Sequence, residues 1–229
     1  MEVIVQNKGN YQEKKESKND KYNIIILGAG GFGREVYLWS KDTFPKDNYR
    51  IKGFLDDNSK ALDGYDLNID IIGSIDDYIP DEYDRFLIAT GVIDAKENVI
   101  DILKKKGAKF INLIHPKAVV ADNTKIGSGV VICPNSLIAT DVQIGNYVTI
   151  NCGTQIGHDV IIKDYTSIMS QVEIGGDCKL GSKVFMGSNS TIIPGRKIGD
   201  NAIIGAGSVI IRHVKENTSV FGNPAKRIE

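Results

Sequence analysis

His158 is followed directly by Asp159. An imidazole beside a carboxylate is equipped for proton transfer near neutral pH, because the acid orients the ring and raises its basicity. On residue types alone the pair also reads as a solvated turn. A second constellation is "ILGAGGFGREV", Ile26 to Val36, whose Gly28, Gly30 and Gly33 fit G-x-G-x-x-G. Such a loop, between an apolar run and a helical pattern, offers backbone N–H groups at a helix N-terminus to a phosphate. Asp56 and Asp57 close the next strand more than twenty residues on, where a ribose-binding acid falls in dinucleotide sites. Taken alone, the glycines suit a nicotinamide dinucleotide as well as any other diphosphate.

Other chemistry is disfavoured by spacing. Cys133, Cys152 and Cys178 are an odd number without a CxxC, so they read as reduced, buried side chains of a cytoplasmic protein and not as nucleophiles or a disulfide framework. His115, His158 and His213 fall at different offsets from the repeat described below, which argues against three imidazoles converging on a metal. Twenty-eight basic residues against twenty-nine acidic give a net charge of -1. No block of like charge marks a nucleic-acid or membrane partner, and no apolar run reaches membrane-spanning length.

The elements that must position these groups divide the 229 residues into three parts. Residues 1–22 are polar and predict a flexible lead-in, with a marginal edge strand over Met1–Val5. From 23 to 113 short apolar strands ("NIIIL", "IKGFLDD", "RFLIATG", "KFINLI") alternate with helical patterns ("FGREVYLWSKD", "AKENVIDILKKKGA"). Alternation of this kind predicts an α/β domain with a small parallel, Rossmann-like sheet, about half of a full dinucleotide domain. From Ile114 to Ile210 every sixth residue is large and aliphatic, seventeen in succession. For the sixteen after the first, the residue two earlier is small or branched each time except at Arg196. Because residues i and i−2 of a strand share a face, two inward residues per six describe a short strand and a turn, three of which close a triangular coil of eighteen residues. Residues 114–229 therefore predict a β-solenoid with a C-terminal tail, its corners eased by residues such as Gly127, Gly145, Gly157 and Gly175. One coil beyond His158 the same corner holds Gly176, whose N–H is suited to meet a developing oxyanion.

In order, "ILGAGGFGREV", "GFLDD", "IHPKAVV", "NCGTQIGHDV", the ladder and "VFGNPAKRI" resemble the bacterial hexapeptide-repeat sugar acyltransferases. The likeness is greatest to the subgroup that N-acetylates nucleotide-linked aminosugars for pilin and surface glycans, with sialic-acid O-acetyltransferases as relatives. The resemblance implies a left-handed parallel β-helix, against the usual right-handed crossover. It also implies a homotrimer, acetyl-CoA as co-substrate in the groove between neighbouring prisms, no metal, and a nucleotide-sugar held by the N-terminal domain. His158 then takes the role of general base, Asp159 that of its partner, and the Gly176 amide that of the donor carbonyl's hydrogen-bond partner. Asn151 holds the acceptor end. Gly28, Gly30, Gly31, Phe32 and Gly33 cradle the diphosphate, and Asp56 or Asp57 binds base or ribose. Phe32 stands where relatives often carry a histidine. Ser167 stands where several members carry a donor-contacting histidine, and Gly205, Ala206, Asn223, Pro224 and Lys226 join it and Gly176 along the donor groove, with Arg227 beside Lys226. The implied reaction is direct acetyl transfer to an amino-deoxysugar linked to UDP, dTDP or GDP. Sugar O-acetylation and a non-catalytic trimeric nucleotide-binding scaffold are the alternatives.

Overall fold

The computed structural model describes residues 21–228. The lead-in and the Met1–Val5 strand thus lie outside the described residues, apart from the end of the lead-in at residues 21–22. Strand β1 (Tyr22–Leu27) is fully buried over its last five residues and runs into helix α1 (Gly31–Thr43), which returns the chain to β2 (Tyr49–Leu55). Two further strands follow, β3 (Ile71–Gly73) and β4 (Asp84–Ile88), then helix α2 (Ile93–Lys105). All pairings are parallel, in the order β3-β2-β1-β4. Strand β3 escapes sequence reading because three half-buried residues after an irregular segment carry no period. The expected strand "KFINLI" divides: Phe110 makes one bridge to Phe86, and Leu113–Ile114 is the first rung of the solenoid.

The six-residue ladder becomes a stack of two-residue strands in three parallel faces. The first face runs from Leu113–Ile114 to Ile203–Ile204 and is closed by the antiparallel pair Ser219–Phe221 and Lys226–Ile228. The second runs from Val119–Val120 to Val209–Ile210, and the third from Lys125–Ile126 to Lys197–Ile198. Paired residues are eighteen apart, as Gln155 with Glu173, so a coil is one full circuit of three faces. From Ile132 to Ile210 the ladder side chains are at most 4% exposed. The last coil is shorter: Val214 bridges Ile198 and Val220 pairs with Ile204, each sixteen residues on.

Most ladder turns are tight enough to require the left-handed region. Asn135, Asp141, Tyr147, Asp159, Tyr165, Gln171 and Asp177 all have φ between 55° and 62°. For residues with a Cβ this costs about 1–2 kcal/mol each, offset here by the burial on either side. Arg196, the exception in the inward column, sits above the shortened coil; it is half-exposed and its Nε donates to the Pro194 carbonyl at 3.1 Å.

The N-terminal domain covers the upper part of the first face. Trp39 of α1 meets His115 edge-on at 6.5 Å, and Tyr147 and Tyr165 stack beneath the end of the sheet. Lys96 of α2 is the anchor. It is wholly buried, and its ammonium donates to Ser167 Oγ at 2.7 Å, to Thr149 Oγ1 and the Tyr147 carbonyl at 3.2 Å, and to the Thr166 carbonyl at 3.5 Å. Beside it Glu97 pairs with Lys183 at 2.6 Å. Among the described residues no helix is long and apolar enough to cross a membrane.

No carboxylate compensates Lys96, so burial draws its pKa down from 10.5 to about 7. Between those values the unfolded chain keeps a proton that the folded chain has released, so folding stability climbs as pH rises from about 7 toward 10.5. Urea midpoints at pH 6.5 and 9 are expected to show this rise in the wild type and to lose its contribution in Lys96→Met.

Candidate active site

His158 and Asp159 occupy the corner between the second and third faces. The preceding Gln155–Ile156 strand ends two residues earlier, so the imidazole leaves the stack with its side chain 64% exposed. The carboxylate is equally open at 60%, and Asp159 Oδ2 lies 2.8 Å from His158 Nδ1. The left-handed backbone of Asp159, fixed by its N–H to the Thr140 carbonyl at 3.1 Å, turns the acid back onto the ring. With Nδ1–H donating to this carboxylate, Nε2 carries the free lone pair of a base.

That lone pair faces Gly176. The two residues share a corner one coil apart, tied by the Asp177 N–H to the His158 carbonyl at 2.8 Å. A Cβ on Gly176 would lie 2.6 Å from Nε2, so any side chain here displaces the ring. The Gly176 carbonyl accepts from Gly195, while no backbone carbonyl among the described residues accepts its N–H. A base and an uncommitted amide thus stand together at the surface.

The glycine loop forms a second centre. Gly28 has φ of 100°, and a Cβ on Gly33 would lie 2.0 Å from the Gly28 carbonyl, so strand, loop and helix close only with glycine there. Gly30, the N-cap of α1, and Gly31 are exposed, with nothing within 4 Å of a Cβ at Gly30. The acids are engaged with the scaffold: Asp56 accepts the Ala29 N–H at 2.7 Å and the Asn58 N–H at 2.9 Å, and Asp57 accepts the Ile75 N–H at 3.1 Å. Asp56 therefore braces the loop. Phe32 packs back against Trp39, ring centres 6.1 Å apart, in a cluster that includes Cys133 and Cys152. At the mouth Arg34 lies over the Tyr65 ring at 3.6 Å. Sequence reasoning passes over this pair, since Tyr65 belongs to an aperiodic loop; the basic residue in the helix's first turn is its one signal.

The remaining expected residues are distributed unevenly. Asn151 is half-buried at the corner between the first and second faces, where its Oδ1 accepts the Cys152 N–H at 2.7 Å. Gly205 and Ala206 share that corner, with Gly205 closed over by Phe221, and Asn223, Pro224 and Lys226 are exposed in the terminal hairpin. Ser167 corrects an expectation. It is fully buried, points from the first face toward α2, and gives its hydroxyl to Lys96, so it presents no group to a donor at the surface. Cys133 and Cys178 are buried and Cys152 half-buried, all as free thiols. In one chain, then, the glycine loop and Asn151 adjoin one corner and His158 with Gly176 the next, one solenoid face apart.

Comparison with known proteins finds two kinds of family match along the chain. Residues 23–111 match the PglD N-terminal domain, and residues 141–176 and 177–212 each match the bacterial transferase hexapeptide (six repeats). The chain thus combines a segment similar to the PglD N-terminal domain with repeats similar to those of bacterial hexapeptide transferases. UDP-N-acetylbacillosamine N-acetyltransferase of Bacillus subtilis is 33% identical over 117 residues, 48% of this chain and 50% of that protein. The redox-sensing transcriptional repressor Rex of Clostridium botulinum is 28% identical over 123 residues, 49% of this chain and 57% of the repressor. The chain thus spans about half the length of the curated relatives it matches. Among solved structures, the acetyltransferase domain of PglB from Neisseria gonorrhoeae with acetyl coenzyme A gives a TM-score of 0.83 at 23% identity, covering 91% of this chain and 100% of that one. A perosamine N-acetyltransferase mutant from Caulobacter crescentus with CoA and GDP-perosamine gives 0.81 at 23% identity, covering 90% and 97%.

Gly176→Ala tests the corner directly. It is expected to keep the solenoid's circular dichroism and melting profile close to wild type while shifting the His158 imidazole resonances; unchanged resonances would refute the contact.

Proposed function

We propose that the chain is an acetyl-CoA-dependent N-acetyltransferase acting on the amino group of a nucleotide-linked amino-deoxysugar. The observation that carries this reading is the His158–Asp159 pair with Nε2 turned to Gly176 on an exposed corner of a hexapeptide solenoid. In the reaction the sugar nitrogen attacks the thioester carbon and a C–N bond forms. Nε2 of His158 takes the ammonium-side proton, leaving an imidazolium that Asp159 stabilises. The tetrahedral oxyanion receives the Gly176 N–H. Collapse breaks the C–S bond, and the thiolate leaves as CoA thiol with the proton from His158. No acyl-enzyme is required. Names of relatives that combine N-acetyltransfer, CoA and a nucleotide-sugar support the same chemistry.

The loop fits the diphosphate of the acceptor, with exposed Gly30 and Gly31 amides at the start of α1. Its position also supports a reading of the assembly. Because the loop adjoins one corner and His158 the next, we assign the acceptor to the domain of one subunit and the base to a neighbouring subunit of a homotrimer, with Gly205, Ala206 and the Asn223–Lys226 hairpin contributing donor contacts across the same groove. We place the activity in the cytoplasm, where both substrates are soluble metabolites.

Thiol release from acetyl-CoA across UDP-, dTDP- and GDP-linked 4-amino sugars and free sialic acid is expected to find an aminosugar substrate. His158→Ala should then lower turnover by ~10²–10⁴-fold without unfolding the chain. Turnover of none of these acceptors, or full activity of the variant, would refute the reading. Subunits carrying His158→Ala and subunits carrying Gly30→Glu, which places a carboxylate at the loop without a steric clash, should each be inactive. Mixed trimers should regain activity, whereas a site built within one chain predicts no recovery.

A further inference from the structure

By spacing the three cysteines are alike, but the fold separates two of them from the third. Cys178 points into the solenoid core and gives its thiol to the Ile193 carbonyl at 3.4 Å. Cys133 and Cys152 point the other way, into the cluster between the first face and α1 that includes Phe32 and Trp39. Ladder register brings the two together. Ile132 pairs with Ile150, which sets Cys133 beside Asn151 and one residue short of Cys152. With about 4.8 Å between strands and about 3.3 Å per residue, that diagonal puts their Cα atoms about 6 Å apart, inside the roughly 4.4–6.8 Å that a disulfide spans. Their side chains meet, the Cys133 thiol donating to the Cys152 sulfur.

The two sulfurs differ as a reacting and a resolving thiol must. Cys152 is half-buried, so a small oxidant has a way in. The hydrogen bond from Cys133 holds its thiol below the usual range, against the opposing effects of burial and Glu35. Cys133 is fully buried, and burial pushes its thiol well above that range.

We propose that Cys133 and Cys152 are a reversible oxidation site, closed to a disulfide by a hydroperoxide, and that closure loosens the glycine loop's hold on the acceptor. The Cys152 thiolate attacks one peroxide oxygen; the O–O bond breaks, hydroxide leaves as water with the proton that Cys152 gave up, and a sulfenic acid remains. The Cys133 sulfur then attacks Cys152 sulfur, the S–O bond breaks, and a second water leaves with the Cys133 proton. The two thiols have lost two electrons and the peroxide has taken them up. A small thiol reverses the bond by exchange, as suits a site in a reducing compartment. Because a covalent S–S bond is shorter than any thiol contact, the close-packed cluster has to follow it. Phe32, which belongs to the glycine loop, packs in that cluster, and Asn151 is tied to the Cys152 N–H at 2.7 Å.

The test treats the reduced full chain with hydrogen peroxide, then denatures, alkylates and digests it with trypsin. The peptide of residues 126–163 carries both Cys133 and Cys152. It is expected to be lighter by two hydrogens and unalkylated, with Cys178 alkylated, and dithiothreitol should restore it. Cys133→Ser should stop at the first step and give a dimedone adduct on Cys152, whereas Cys152→Ser should give neither adduct nor disulfide. Emission of Trp39, the one tryptophan, should change on oxidation of the wild type and stay fixed in Cys152→Ser. Complete alkylation of all three cysteines after peroxide, or a disulfide that includes Cys178, would overturn the site. With the aminosugar substrate, the oxidised enzyme is expected to show an acceptor KM raised about tenfold, as for one lost hydrogen bond, and an unchanged KM for acetyl-CoA. An unchanged acceptor KM would overturn the link to the loop. That link rests on the nucleotide-sugar reading above and the bond does not: turnover of no acceptor would overturn the link along with that reading, and peptide mass and Trp39 emission would still decide the bond.

Discussion

The structure depends on one constraint: each coil must hydrogen-bond to the coil above and below in strict register. The bonds run from a backbone N–H to the carbonyl seventeen residues on, as Gln155 to Val172 and Lys179 to Arg196. A slip of one residue would turn every ladder side chain out to solvent, so the register is held by the whole core at once. The stack in turn fixes what happens at the corners. Residues eighteen apart are forced into columns, and a column is the means by which a base at 158 meets an amide at 176. Neither residue needs a dedicated support of its own. The price is the left-handed turn at Asp159, and that turn is also what aims its carboxylate at the imidazole.

The same register makes the solenoid a rigid ruler to which the N-terminal domain is fastened. The domain is not hinged loosely to it. Lys96 reaches through the first face to four oxygen acceptors, and Trp39 packs on His115 at the other end of the seam. An ammonium buried without a carboxylate is costly, and the fold retains it because withdrawal would take this donor from the buried hydroxyls of Thr149 and Ser167 and from the Tyr147 carbonyl. The docking is therefore specific more than strong.

Much of this was legible in the sequence, and the reason is periodicity. A ladder of seventeen positions over-determines a solenoid, and the column rule alone brings His158 to Gly176. The α/β domain was readable as a type, through its buried strands and the glycines whose space is closed by backbone, as at Gly33. What failed lacked a period. Strand β3 is three residues in an irregular segment, and the Arg34–Tyr65 stack joins residues whose proximity is decided by loop closure. Ser167 failed for another reason: the outward position of a two-residue strand is solvent-facing only where nothing covers the face, and Lys96, a residue type expected at the surface, covers it.

Rigidity on both sides of the seam has a mechanistic consequence. Many transferases exclude water by closing a lid, and a lid needs a segment of low local stability. Around His158 the adjoining corner turns are bonded to the coils above and below, and the ladder runs from Ile114 to Ile210 without an inserted loop. A site on such a corner has to be walled by something preformed. In the proposed trimer that wall is the neighbouring prism with its nucleotide domain, already locked in place by Lys96. Exclusion of water then comes from assembly rather than from closure, and the barrier to productive alignment is met once, when the subunits associate, instead of in every turnover.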